Sequence, residues 1–207
     1  MDIKKVVGIT VVALLIATAL QKTTASEEAS YVVIMKDKPF EVREYAPHVL
    51  AETSVEGSMK DASNPAFMKL FRYISGNNVS RSKVAMTAPV SQQSIGEKIK
   101  MTAPVGKQQF EDKWLLSFTM PKTYTLSTLP QPDDASITLR EVPAQRMAVI
   151  RYSGAWSEKN YLNHESELTA WMRAQGLTRA GNPIWARYNP PFTPWFLRRN
   201  EVMIPIQ

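Results

Sequence analysis

The 207-residue chain has no cysteine, which excludes disulfides, thiolate metal sites, a cysteine nucleophile and the lipid-anchored start of a lipoprotein. It has only two histidines, His48 and His164, so a nucleophile-histidine-acid set or a histidine metal site has almost no material to draw on. Glycine is scarce too. Eight glycines form no phosphate-cradling loop, no dinucleotide fingerprint and no Gly-x-Ser-x-Gly elbow. Conversely, 14 prolines argue against long helical architectures.

What the chain does hold is an ordinary globular balance, 44% hydrophobic and 21% charged, with five Trp, seven Tyr and seven Phe. That many rings can wall a slot for a flat apolar ligand. The formal charge is +6. Two of those charges belong to residues 1–25, where Lys4, Lys5 and Lys22 face Asp2. The remaining basic residues are scattered rather than clustered, so no nucleic-acid footprint is expected.

The first residues follow the logic of an export signal. Lys4-Lys5 form a basic start, Val6 to Leu20 an apolar run, and Thr23-Thr24-Ala25 a small-residue cleavage position. Cleavage is expected after Ala25, which gives a signal peptide at 1–25, a linker at 26–30 and one domain at 31–207. The product would be periplasmic or secreted, without stable membrane insertion. The alternative is a membrane anchor over residues 6–20, although that run is shorter than the roughly 20 residues a spanning helix needs.

From Tyr31 the pattern shifts to short alternating runs. Tyr31 to Met35, Phe40 to Tyr45 and Val49 to Val55 read as strands, with Pro39 and Pro47 between them. A helix follows, with Ser63 or Asn64 as cap, Pro65 in the first turn, Phe67, Leu70, Phe71 and Ile74 on one face, and Gly76 as its stop. A second helix repeats the design, with Ser157 as cap, Tyr161, Leu162, Leu168, Trp171 and Met172 on the apolar side, and Gly176 as terminator. Trp114 to Met120 reads as a buried strand, Leu129 to Asp134 as an exposed linker, and Glu201 to Ile206 as the last strand.

Two internal repeats organise the chain. Phe40-Glu41-Val42-Arg43-Glu44-Tyr45 can be laid over Ile137-Thr138-Leu139-Arg140-Glu141-Val142 at an offset of 97 residues, from Arg43 to Arg140, and each is followed by a strand and a helix. Lys83 to Val90 and Lys98 to Val105 agree at six of eight positions, and each reads as a strand ending at its proline. Two strand-strand-helix halves would close around a shared cavity.

Together, the Met-Thr-Ala-Pro-Val pair, Glu41 to Tyr45, Tyr188-Asn189-Pro190-Pro191 and Arg198 to Val202 resemble the SOUL heme-binding family. The resemblance runs from about Tyr31 to Gln207. It implies an α+β fold, a distorted antiparallel β-barrel with two helices in pseudo-symmetric halves, that binds heme or a related tetrapyrrole. The same architecture resembles ligand-binding domains of bacterial regulators that take hydrophobic cations, so fold alone does not choose the ligand.

The resemblance also points to the first helix as a porphyrin-binding face, with Phe67 and Phe71 as the apolar platform and Arg72 as propionate partner. His48 is the candidate histidine ligand, while His164 reads as a packed helical residue. Some heme-binding members carry a histidine where this chain has Glu44, which implies either binding without an axial protein ligand or a different iron ligand. Met86 and Met101 offer thioethers, although strand packing explains both. No catalytic residue and no metal site is expected. The enzymatic alternative is a carboxylate among Glu41, Glu44 and Glu141 acting on a tetrapyrrole or other hydrophobic ester.

Overall fold

A computed structural model describes residues 27–57, 59–80, 96–110 and 113–207. The expected signal segment at 1–25 and the first Met-Thr-Ala-Pro-Val copy at Lys83 to Val90 lie outside the described residues. A β-branched apolar run forms β1 (Tyr31–Asp37), which is exposed along its length, and period-two alternation yields β2 (Phe40–Tyr45) and β3 (His48–Glu56), followed by helix α1 (Met59–Ile74). After β4 (Asn78–Val79) come β5 (Val105–Phe110), β6 (Lys113–Thr119), β7 (Gln131–Pro132), β8 (Ile137–Val142) and β9 (Gln145–Tyr152). Helix α2 (Glu158–Ala174), β10 (Ile184–Arg187), a 3-10 turn (Trp195–Leu197) and β11 (Asn200–Ile206) complete the chain.

Nine strands make one antiparallel sheet in the order β1-β2-β9-β11-β10-β5-β6-β3-β8, while β4 and β7 pair separately. Apart from β1 the order is a palindrome about β10 and β5. The expected duplication therefore extends further, to strand-strand-helix-strand-strand in each half, and the halves exchange their first strands. Register confirms the 97-residue offset: Arg43 faces Met147 across β2 and β9, and Leu50 faces Arg140 across β3 and β8. Adding the offset to the first pair's β2 member and to Leu50 reproduces the second arrangement.

Both helices pack on one face of this sheet. Tyr161, Leu168, Trp171 and Met172 of α2 lie on Ala148, Ile150, Val202 and Ile204, whereas Ala66, Leu70, Tyr73 and Ile74 of α1 lie on Ala51, Leu116, Phe118 and Ile137. The other face holds Tyr45, Met147, Val149, Ala186 and Met203. Two-residue turns, Ala46-Pro47 and Pro143-Ala144, join β2 to β3 and β8 to β9, although these strands lie far apart in the sheet order. The sheet must curl to allow this, and Tyr45 and Val142, from its opposite ends, line one internal cavity of about 210 Å³.

The helix boundaries show which local signals prevailed. Ser157 caps α2 by accepting from the Asn160 backbone N–H. Gly76 and Gly176, with φ of +118° and +68°, follow the two helices in the left-handed region that glycine tolerates. Helix α1 instead starts at Met59, ahead of the expected cap, with Pro65 inside it. A proline within a helix costs one backbone bond and does not forbid the turns before it when one face packs well.

Three further expectations are corrected. Leu162 is half exposed rather than on the packed stripe. Leu129 and Pro130 are buried, not part of an exposed linker, because the Tyr73 hydroxyl donates to Pro130 O at 2.9 Å and β7 pairs with β4. In the second repeat copy the strand begins after the proline, at Val105. Before it the chain is irregular, held by Ile99 N–H on Ile74 O at 2.8 Å and by the Thr102 hydroxyl on Thr119 O.

Candidate functional site

The sheet's pseudo-axis passes through the pair Lys107 and Trp185, which face each other across β5 and β10 between the two helices. A cavity of about 320 Å³ opens next to it. Its walls are Ser63, Asn64 and Phe67 of α1, the Met101–Val105 segment, and Tyr188 to Pro191; Leu116, Trp156 and Arg187 complete it. The lining is mostly apolar and the volume is at the lower end of ordinary ligand pockets, roughly 300–1,000 Å³.

The arginine at this cavity differs from the ion-paired arginines of the barrel. Arg187 Nε donates to the Tyr161 hydroxyl at 2.7 Å and its guanidinium lies 4.8 Å from the Trp156 ring centre. Among the described residues no carboxylate pairs with it, while Arg43, Arg140 and Arg199 are all matched by acids. Behind Ser63, Lys107 Nζ donates to its hydroxyl at 2.7 Å and sits 4.4 Å from the Trp114 ring centre. Burial, reinforced by the charge of Arg187, pushes the Lys107 amine down to about 7.

The motif residues at the C-terminal end build the wall rather than the slot. Asn200 accepts from Trp156 Nε1 at 2.8 Å and donates to Gly154 O at 3.1 Å, which fixes the indole against the cavity. Arg199 N–H donates to Asn189 Oδ1 at 2.6 Å, and the Tyr188 hydroxyl donates to Glu201 Oε2 at 2.6 Å. Burial first, and then the neighbouring Glu201 charge, drive the Tyr188 phenol well above its usual value, so it stays a neutral donor. The Tyr-Asn-Pro-Pro loop is thus pinned to the barrel through its first two residues.

The four expected site residues do not converge. Phe67 lines the cavity and packs edge-on against Phe118. Phe71 stacks on Phe67 with centroids 6.0 Å apart, but it does not line the cavity and is exposed. Arg72 is exposed in the last turn of α1. His48 lies at the internal barrel cavity, its Nδ1 2.9 Å from Ala46 O. His164 is packed as expected, stacked on Tyr152 at 3.7 Å with Nδ1 2.7 Å from Asn160 O. Met101 lines the cavity; Met86 lies outside the described residues. The carboxylate set does not form either, since Glu41 is tied to Arg43 at 2.7 Å and Glu44 and Glu141 are exposed. Among the described residues no group of three histidine, aspartate or glutamate side chains can hold a metal.

A family model described as SOUL heme-binding protein matches residues 26–205. The chain belongs to this family. Heme-binding protein 1 of Xenopus tropicalis is 25% identical to this SOUL protein over 164 residues, 79% of this chain and 81% of the relative. Two solved structures show the same fold. A chain titled as a hydrolase encoded by lin2189 from Listeria innocua has a TM-score of 0.55 at 13% identity, over 81% of this chain and 91% of its own. The EcmrR C-terminal domain has a TM-score of 0.53 at 9% identity, over 86% of this chain and 98% of its own. At such identities the likeness is one of architecture.

Sequence reasoning about this SOUL protein overlooked Arg187, Lys107 and Trp156. Arg187 ends a four-residue strand that carries little periodicity, and only its position just before Tyr188-Asn189-Pro190-Pro191 signals a role. Lys107 alternates with polar neighbours in Val105 to Gln109, so its burial depends on pairing with β10. Among the described residues no helix is long and apolar enough to cross a membrane.

Proposed function

We propose that this SOUL protein binds heme or a related tetrapyrrole in the cavity between α1 and the Tyr188–Pro191 loop, as a carrier or buffer. The observation that carries this reading is an apolar slot whose one lining arginine, Arg187, has no carboxylate partner among the described residues. The residues suit the group. Phe67, Met101, Trp156 and the two prolines would contact a flat apolar face, and Arg187 would meet a propionate by a charge-assisted bond. Lys107 lies behind Ser63 and donates to its hydroxyl.

A bound heme would supply an iron centre and two carboxylates. Neither histidine lies at this cavity, so retention rests on burial and on Arg187, and the Met101 thioether is the one soft donor in the lining. The leader-like start at Lys4 to Ala25 supports a role outside the cytoplasm.

Trp156 lets the location be tested. Hemin titrated into the protein should quench tryptophan emission saturably, and the share contributed by Trp156 should vanish in Trp156→Phe. Quenching that is linear in hemin and unaltered by the substitution would remove this cavity as the site.

A further inference from the structure

Immediately after the two prolines at the cavity mouth, the chain presents a run of exposed apolar side chains. Phe192 is 86% exposed, Trp195 63%, Phe196 58% and Leu197 64%. Large apolar groups gathered this way mark a surface that meets something other than water. We propose that the loop Phe192 to Leu197 is a docking surface for an anionic lipid bilayer, inserting its rings at the headgroup level.

Two features favour lipid over a protein partner. The first is side-chain type. Tryptophan and phenylalanine beside arginine are the residues that settle at the membrane interface, where one end is apolar and the other wet. Arg198 stacks on Trp156 at 4.1 Å and sits at the loop's base, at the depth of lipid phosphates when the rings are inserted.

The second is charge. From Tyr188 to Asn200 there is no acidic residue, and the whole chain carries +6, so an anionic surface is attracted rather than repelled. Because Pro190 and Pro191 line the cavity, docking would open its mouth at the lipid surface.

This surface stands apart from the ligand reading, and its test contains no tetrapyrrole. The full chain is mixed with vesicles of brominated phosphatidylcholine, with or without phosphatidylglycerol, and the emission of Trp195 is isolated as the difference between wild type and Trp195→Phe. Reading Trp195 itself separates loop insertion from any binding through residues 1–25. We expect Trp195 to be quenched on anionic vesicles, less so in high salt, and quenched at least about threefold less in Phe192→Ser/Leu197→Ser, with circular dichroism unchanged. Trp195 emission that the brominated lipid leaves unaltered would overturn the proposal. So would loop-dependent self-association, seen by sedimentation without lipid, that protects Trp195 instead.

Discussion

Arg43 and Glu201 meet head-on inside the barrel, with Nη1 2.8 Å from Oε2 and Nη2 3.1 Å from Oε1, and neither side chain is more than 2% exposed. The pair bridges β2 of one half to β11 of the other, and through Tyr188 and Arg199 it reaches the loop that walls the ligand cavity. A buried charge left alone is costly. Glu201→Gln should therefore lower unfolding stability by about 3–5 kcal/mol in urea titration. The counterpart at the other end of the sheet, Arg140 with Glu52, has an arginine side chain 49% exposed, so Arg140→Met should cost less than Arg43→Met.

The same carboxylate sets an acid dependence. Burial alone would raise the Glu201 carboxyl, but the bonds and charge of Arg43, with Arg199 and Tyr188, outweigh it and hold it below the usual value. Its stabilisation is complete above the unfolded value near 4.5 and is lost as pH falls through the lower native one. The Glu201→Gln variant should show a flatter stability curve than wild type from about pH 5 down to about pH 2.

Lys107 gives a dependence of opposite origin. Between about 7 and the ordinary lysine value of 10.5 the unfolded chain keeps a proton that the native amine has released. Native stability should rise with pH across that window. Lys107→Met should flatten the rise, as read by thermal unfolding at stepped pH. A wild-type curve that is already flat between these values would contradict the lowered amine.

At the second helix the capping hydroxyl is the test. Ser157 Oγ accepts from Asn160 N–H at 3.3 Å, so Ser157→Ala should cost about 1 kcal/mol in denaturant unfolding. The effect on ligand binding should be negligible, because Ser157 does not line the cavity.

Most of the fold could be read from the chain because its signals are local. Alternation placed β2, β3 and β11, capping placed the start of α2, glycine placed the ends of both helices, and the Arg43 and Arg140 segments revealed the duplication. The strand exchange between halves could not be read, because it depends on which strand pairs with which, and both pairings satisfy the same alternation. The site was partly legible. Phe67 was found through its helical face, but Arg187, Lys107 and Trp156 come together only when β5 and β10 pair across the pseudo-axis. His48 stood out for its rarity, yet the curl of the sheet places it on the opposite face. The Tyr-Asn-Pro-Pro and Arg-Arg-Asn-Glu motifs marked the family without disclosing that their main work is to hold Trp156 and the loop.

The most direct measurement is the affinity of hemin for wild type, Arg187→Gln, Phe67→Ala and His48→Ala, read by Soret titration. Loss of the Arg187 charge-assisted bond, about 1.5–3 kcal/mol, corresponds to roughly a 10- to 100-fold weaker complex. Phe67→Ala should weaken it about tenfold, and His48→Ala should leave both affinity and spectrum unchanged. A complex insensitive to Arg187 and Phe67, but weakened or spectrally altered by His48→Ala, would move the ligand to the other face of the sheet.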